Sequence, residues 1–408
     1  MTTPIQKKKK VLKPADNYIR VGTDYFKIIE RPDRFGIIRS EIAKWNKEEI
    51  TLDEGKKTLY DIPKFDTFIN EPNNNGVERH IYKCYNMYHQ FPHKPKKGNW
   101  LWTFNLLKHI FGNQFKSGMI YMKVLYEYPK QILPILVLVS ETRETGKSTF
   151  LDWLNMVFGE NMVMIEPDVI GGTFNGEYAK ANIIGIDETI IDKQIAVEKI
   201  KSLATKKYIS VNSKFISQYK LPFFGKIILA SNNEDRFIRI DDKEIRFWVR
   251  KIGVPKESNH NILNDMIAEI PAFLYYLTTM KEIDFTQSRM VLTEKQISNE
   301  YLLKVKEQSK SSLYHELTEL FTDFFNQAPI NHIEVIPSDI KNKWFSHNNN
   351  IPSNYIRKVL RDEFTFKQNN YKRYAPFGEG DTKPGTPFII EKERFCEGEY
   401  IGETPLPF

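Results

Sequence analysis

The sequence contains very little cysteine: Cys84 and Cys396 are the two in 408 residues. They supply neither a disulfide framework nor a cysteine-based zinc site, so we expect a reducing, cytosolic setting, and we interpret Cys84 and the nearby His89 as structural residues. Long apolar runs are also missing, because no segment approaches the roughly 20 consecutive apolar residues that a membrane-spanning helix needs. The basic stretch Lys7–Lys10 is not followed by an apolar segment, which argues against a secretory signal. We therefore expect a cytoplasmic protein without membrane contact.

The chain is nevertheless long enough for two or three domains, each with its own core. It carries 59 lysines and arginines against 52 aspartates and glutamates, which gives a formal net charge of +7 at pH 7. The basic residues are clustered, and this favours an anionic partner. One cluster lies in a basic arm over residues 1–16, which we interpret as a disordered, solvated segment, with nucleic-acid contact as the alternative.

A strand, a polar loop and a helix follow one another between Pro134 and Gly159. Pro134–Val139 is a short, β-branched apolar run typical of a buried strand. After the loop, apolar residues recur at helical spacing until Gly159, which is placed as a C-cap. The loop ends in Gly146-Lys147-Ser148, which in this context is typical of a phosphate-binding loop. Backbone N–H groups and the Lys147 ammonium would face phosphates, and the Ser148 hydroxyl would bind Mg²⁺.

The loop departs at one position from the usual pattern G-x-x-x-x-G-K-[ST], because Glu141 replaces the first glycine. A chance Gly-Lys-Ser at a helix start is therefore the alternative, which the flanking strand and helix make less favoured. We predict that one continuous segment binds the nucleotide: Glu144, Thr145, Gly146, Lys147, Ser148 and Thr149.

Two later apolar runs also end in polar residues. Ala181–Ile186 is followed by Asp187 and Glu188, where an aspartate could hold Mg²⁺ through water and a glutamate could orient the water that attacks the γ-phosphate. A second run, residues 225–231, is followed by Asn232, which is suited to lie beside the γ-phosphate. Acids at strand ends are common in α/β proteins. The assignment of Asp187 and Glu188 therefore depends on their spacing from the Gly-Lys-Ser loop.

Basic residues stand at two further positions of interest. Arg246 precedes an apolar strand and could reach a phosphate in a neighbouring subunit, as an arginine finger does; a surface ion pair with Asp241 or Asp242 is equally favoured by the local pattern. Residues 208–211 and 215–219 alternate as a β-hairpin with Asn212-Ser213 at its turn. The hairpin is either solvated or projects into a channel where lysines contact a single strand. These lysines are Lys206, Lys207 and Lys214.

Taken in order, these segments resemble the conserved blocks of superfamily 3 helicases of viruses, phages and plasmids, and most of all the helicase domain of phage primase–helicase proteins. The resemblance extends from Trp100 to Ile252 and rests on five blocks: Thr145–Thr149, Ile186–Glu188, the lysine-bearing hairpin, Ile228–Asn232 and Lys243–Phe247.

The resemblance implies an AAA-type ATPase ring, a homo-hexamer that uses ATP and Mg²⁺ to move along single-stranded DNA and unwind forked DNA in a bacterial host cell. It assigns Lys147 and Ser148 to ATP and Mg²⁺, Asp187 to the metal, Glu188 to the water, Asn232 to the γ-phosphate, Lys214 to DNA and Arg246 to the subunit interface. We expect any primase or polymerase to be a separate chain. Two alternatives are an AAA-type initiator or loader that does not unwind processively and a non-catalytic DNA-binding scaffold with a degenerate loop.

In the C-terminal third, the sequence predicts helices at 337–345 and from Ser353 onward, and after them a hairpin around Asn369-Asn370. This order suggests a winged-helix domain, which could contact duplex DNA through Arg357, Lys372 and Arg373. The alternatives are a solvated surface and a fold used only for protein contact. The expected fold class is α/β, with an AAA-type P-loop core, a mainly helical N-terminal region and a C-terminal helical or winged-helix domain. The expected divisions are 1–16 (arm), 17–99 (unknown fold), 100–255 (helical collar and core), 256–330 (helical), 331–392 (winged-helix-like) and 393–408 (tail).

Overall fold

The structure is a computed structural model that describes residues 13–33, 36, 38–187, 194–212, 218–234, 237–255 and 261–395. The chain divides into two compact units. The first comprises Met1–Arg239 and Glu244–Val305, and the second comprises Ile240–Lys243 and Lys306–Phe408. No helix in these described ranges combines the length and the apolar character needed to cross a membrane.

The first unit begins with two small sheets and two short helices. A four-stranded sheet has the order β3-β2-β1-β4, and a three-stranded sheet has the order β5-β7-β6. The elements, in chain order, are β1 (Tyr18–Val21), β2 (Asp24–Pro32), β3 (Ile38–Trp45), α1 (Lys47–Glu54), α2 (Thr58–Asp61), β4 (Lys64–Phe65), β5 (Thr67–Ile69), β6 (His80–Ile81) and β7 (Cys84–Asn86).

The expectation of a mainly helical N-terminal region is therefore wrong. Strands β2 and β3 pair antiparallel along their whole length, from Tyr25 opposite Trp45 to Pro32 opposite Ile38. Aromatic and β-branched residues such as Phe26 and Ile28 fit this pleated surface well. Most side chains of β2 and β3 are only half-buried, so the two faces differ little in polarity and the sequence lacks the clean alternation that identifies a strand.

Two helices, α3 (Leu101–Phe111) and α4 (Phe115–Glu127), lead from these sheets to the core of the first unit. Helix α3 is capped at its C-terminus by Gly112, where a positive φ of 47° allows the chain to turn. Helix α4 ends just before Tyr128. Lys123 of α4 is 1% exposed and forms an ion pair with Glu127 one turn later.

A five-stranded parallel sheet forms the centre of the first unit, with the order β14-β8-β13-β10-β9. The elements of this part are β8 (Ile135–Val139), α5 (Lys147–Phe158), β9 (Met162–Met164), α6 (Pro167–Gly171), β10 (Ile183–Ile186), α7 (Gln194–Leu203), β11 (Tyr208–Val211), β12 (Tyr219–Pro222), β13 (Lys226–Ser231) and β14 (Phe247–Lys251). Val139 lies opposite both Ser231 and Lys251, so β8, β13 and β14 end together. Residues that follow these strands consequently meet at one edge of the sheet.

Strands β11 and β12 form the predicted hairpin, but in a different register. Val211 pairs with Tyr219, and Ile209 pairs with Leu221, so the second strand begins at Tyr219. Ser213 of the predicted turn and residues 215–217 of the predicted second strand lie outside the described residues. The observed pairing places Ile209 (2% exposed) and Leu221 (0%) together on the buried face, and burial of one face is what sets strand register.

Helices complete the first unit and lead into the second: α8 (Ile262–Thr279), α9 (Glu294–Ile297) and α10 (Glu300–Gln308). Helix α8 packs against α3, α4 and α5. The main apolar core of the unit joins these helices to one face of the sheet, and its fully buried members include Leu107, Tyr121, Leu136, Trp153, Trp248 and Phe273.

The described residues of the second unit from 312 to 395 contain three α-helices and two small antiparallel sheets. Its elements are α11 (Ser312–Gln327), β15 (His332–Val335), α12 (Pro337–Trp344), α13 (Ser353–Lys358), β16 (Lys372–Tyr374), β17 (Lys383–Gly385) and β18 (Phe388–Glu391). Strand β15 pairs with β18, and β16 pairs with β17. The two predicted helices, α12 and α13, are confirmed.

The predicted hairpin around Asn369-Asn370 is wrong, because β16 pairs with residues nine to thirteen positions later. Phe364 and Phe366 are 6% and 7% exposed, and their rings stack with centroids 4.9 Å apart. The segment before β16 therefore belongs to the apolar core of the second unit. An aromatic pair that the sequence presents as one side of an exposed wing is instead buried against Tyr314 and Phe321.

Candidate nucleotide-binding site

The loop between β8 and α5 has the conformation needed to open a helix N-terminus toward a ligand. Glu144 and Gly146 have positive φ values of 57° and 86°, and α5 begins immediately after Gly146. The first intrahelical bond of α5 runs from the Phe150 N–H to the Gly146 carbonyl at 2.9 Å. The preceding N–H groups have no partner inside the helix, as at every helix start, and they give this twelve-residue helix an anion-attracting end. Ser148 is exposed there.

Lys147 is held inward, across the loop, by three side chains. It is 5% exposed, and its Nζ donates to Thr145 Oγ1 at 3.1 Å, to Asn232 Oδ1 at 2.9 Å and to Ser140 Oγ. Asn232 follows β13, so two of the predicted site residues from separate strands are in direct contact. Burial lowers the pKa of the Lys147 ammonium, while the nearby Asp187 and Glu234 carboxylates act in the opposite direction and favour its charged form.

Asp187 stands directly after β10, on the strand next to β13. Ile186 pairs with Leu229 near the end of β13, so Asp187 lies at the same edge of the sheet as Asn232. A partly buried carboxylate and an exposed serine hydroxyl are oxygen ligands of the kind that Mg²⁺ prefers. Glu188 lies outside the described residues.

Three residues that the sequence did not reveal also support the loop. Ser140 N–H donates to the Ser231 carbonyl at 3.2 Å, which continues the ladder between β8 and β13. His109 of α3 lies with Nε2 3.0 Å from the Thr145 carbonyl, to which it donates as the Nε2–H tautomer. Glu234 is 4% exposed and accepts a hydrogen bond from the Glu141 N–H at 3.0 Å. The one available signal was the polar run after β13, in which Glu234 follows two asparagines.

Arg246 lies at the other edge of the sheet. Its carbonyl accepts from the Ile135 N–H at 2.7 Å, at the start of β8, whereas the loop follows the end of β8. Five residues of strand separate the two edges, a span of about 17 Å. Arg246 and Lys147 of one chain are therefore not brought together.

The Arg246 guanidinium is bound by Glu244, whose two oxygens lie 2.6 and 2.5 Å from Nε and Nη2. A third bond, 3.0 Å, joins Nη1 to the Lys201 carbonyl. Burial would raise the pKa of the Glu244 carboxyl, but the hydrogen bonds and charge of Arg246, with the charge of Lys201, outweigh it and lower this pKa. The paired geometry orients Arg246 rigidly on the core.

The predicted DNA-contacting lysines are placed only in part. Lys206 and Lys207 are exposed just before β11, and the Lys207 carbonyl accepts from the Phe223 N–H at 3.0 Å. On the same hairpin, Lys220 Nζ lies 4.8 Å from the ring centre of Tyr208, which is 54% exposed. Lys214 lies outside the described residues.

These elements define an α/β protein in which a strand, a loop and the N-terminus of a helix meet at the edge of a parallel sheet. The sequence pattern of a family of unknown function, DUF5906, matches residues 138–247, which include the loop, Asp187 and Asn232. No curated protein matches the chain.

Solved structures that share the fold include those of the C-terminal region of NrS-1. The apo structure of the C-terminal region of NrS-1 has a TM-score of 0.60 at 16% identity, covering 92% of this chain and 95% of that chain. An A-form apo structure of the same region has a TM-score of 0.59 at 16% identity, covering 92% and 96%. The similarity extends over both units of this chain and concerns the fold.

Proposed function

We propose that this protein is an ATP-dependent DNA helicase of the superfamily 3 type, with an AAA-type P-loop core, which acts in the replication of phage or mobile-element DNA. The observation that supports this most is the contact of 2.9 Å between Lys147 of the loop and Asn232 of a separate strand, at the edge where Asp187 also lies. A chance Gly-Lys-Ser would not place an amide and a carboxylate from two other strands around its lysine.

The residues present fit ATP and Mg²⁺. Lys147 and the N-terminus of α5 would neutralise phosphate charge, and Ser148 and Asp187 would hold the metal. ATP supplies the phosphoanhydride bond whose hydrolysis provides the free energy. The protein contributes positioning and charge neutralisation: Asn232 would contact the γ-phosphate, and Glu188, by resemblance, would orient the attacking water.

The rigidly paired Arg246 is suited to a neighbouring subunit, since it lies across the sheet from the loop of its own chain. We therefore propose a homo-hexamer with one active site per interface. Lys206, Lys207 and Lys214 would contact the phosphates of single-stranded DNA, and the second unit would serve as a winged-helix-like domain at forked DNA. A separate primase or polymerase would complete the replication machinery.

ATP turnover with and without single-stranded DNA tests this proposal. We expect turnover in the wild type, stimulation by single strands, strand displacement on a forked substrate, and loss of turnover in Lys147→Ala and Glu188→Gln. Lys47→Ala is a matched control, because Lys47 also begins a helix but is exposed in α1. Absence of turnover in the wild type would support the non-catalytic scaffold, and stimulated turnover without strand displacement would support a loader.

A further inference from the structure

Glu141, the residue that replaces the first glycine of the usual loop pattern, is tied to a different strand end. Its N–H donates to Glu234 Oε1 at 3.0 Å, and Glu234 follows β13. The next residues of the loop include Glu144 and Gly146 with positive φ, so the loop has an uncommon backbone conformation that must be held from outside. The hydrogen bond from the Glu141 N–H to Glu234 is one of the contacts that stabilise this conformation.

Glu234 is itself fixed by a cation. Its side chain is 2% exposed, and Oε2 lies 2.6 Å from Nζ of Lys251, the last residue of β14. The Tyr301 hydroxyl donates to the Glu234 carbonyl at 2.9 Å, and Lys251 Nζ lies 5.8 Å from the Tyr301 ring centre. A buried carboxylate needs such compensation, and a hydrogen bond to a charged acceptor is stronger than one between neutral groups.

We propose that Glu234 is a positioning residue of the nucleotide site: its carboxylate, held by Lys251, fixes the first residue of the phosphate loop at the position where other such loops have glycine. One oxygen accepts from the loop, and the other binds Lys251 at the end of β14, so Glu234 joins the ends of β8, β13 and β14. This inference deepens the proposed function and rests on it for its consequence in catalysis.

The first test is hydrogen–deuterium exchange of the full-length protein without nucleotide, followed at the Glu141 amide. In Glu234→Ala the amide loses its acceptor, and we expect its exchange to accelerate roughly ten- to a hundredfold. Lys251→Met should accelerate it less, because Glu234 remains, and Lys251→Arg should restore the wild-type rate. Glu49→Ala, at an exposed acid of α1, is the control.

The second test separates positioning from a general structural effect. We expect the loop to bind the ATP phosphates equally in the ground state and in the transition state. Glu234→Ala should therefore raise the KM and the Kd for ATP about tenfold or more, while kcat stays within about threefold. If Glu234→Ala does not fold, Glu234→Gln takes its place: it keeps an acceptor for the Glu141 N–H but loses the ion pair, so it should resemble Lys251→Met.

Unchanged exchange at Glu141 in both Glu234 variants would overturn the proposal, as would a fall in kcat at constant KM. Absence of ATP binding in the wild type would instead refute the proposed function. In that case the exchange rates alone would still decide whether Glu234 holds the loop.

Discussion

Lys226 is a buried lysine whose charge should make the stability of the protein depend on pH. It begins β13, is 4% exposed, and donates to the Asn182 amide oxygen at 3.1 Å, to the Phe224 carbonyl at 2.8 Å and to the Pro129 carbonyl. Among the residues that the structure describes, no carboxylate forms an ion pair with it. Burial lowers its pKa from 10.5 to about 7.

The sign and size of the effect follow from this pKa difference. Between pH 7 and 10.5 the unfolded chain holds the Lys226 proton while the folded protein has lost it, so the free energy of unfolding rises with pH across this window. The full difference corresponds to roughly 4 to 5 kcal/mol. The steepest slope is about 1.4 kcal/mol per pH unit, so we expect a gain of about 2 kcal/mol between pH 7 and 9.

Lys226→Met removes the titrating amine and should remove this rise. The variant also loses three hydrogen bonds and leaves buried carbonyls without a donor, but that cost does not change with pH. The measurement is chemical denaturation of wild type and variant at pH 6, 7, 8 and 9, and the quantity of interest is their difference in unfolding free energy. The exposed Lys281→Met serves as the control.

The reasoning would be refuted by a constant difference between wild type and Lys226→Met across this range. A constant difference would mean that Lys226 binds its proton equally in the folded and unfolded states. The reasoning would be supported if the unfolding free energy of the wild type rises by about 2 kcal/mol relative to that of Lys226→Met between pH 7 and 9.

Three further changes have definite expected outcomes. Asn232→Ala should lower kcat for ATP about ten- to a hundredfold with little change in ATP affinity, measured by steady-state turnover and calorimetry; equal loss in affinity would show a binding role. Arg246→Ala should lower turnover about a thousandfold or more while each chain still binds ATP, and full activity in this variant would exclude a role across the interface. Asp339→Asn in the second unit should lower stability by about 1 to 3 kcal/mol in denaturation experiments, because Asp339 is 5% exposed and accepts from Tyr374 at 2.7 Å and from Lys383; an unchanged midpoint would contradict this.

Local sequence signals predicted the elements around the candidate site. The strand before the loop, helix α5 and its end at Gly159 are determined by residues within one segment: a β-branched apolar run, apolar residues at helical spacing, and a glycine that accepts a positive φ of 58°. The same holds for the buried strands β10 and β13. Such features need no information about distant parts of the chain.

Features that depend on pairing could not be predicted in this way. The register of β11 and β12 is set by which side chains become buried, and β16 pairs with β17 because Phe364 and Phe366 are taken into the core of the second unit. The strands of the N-terminal region are half-buried on both faces, so their sequence resembles neither a clear strand nor a clear helix.

The same distinction between local sequence and strand pairing applies to the candidate site. The sequence by itself was enough to propose Lys147, Asp187 and Asn232 as site residues, because each follows a recognisable strand end. Only the tertiary structure decided that the Lys147 ammonium meets the Asn232 amide, that Glu234 holds the Glu141 N–H, and that Arg246 lies at the far edge. The physical reason is that these relations depend on the order and alignment of parallel strands, which the burial of both sheet faces selects and which no single segment encodes.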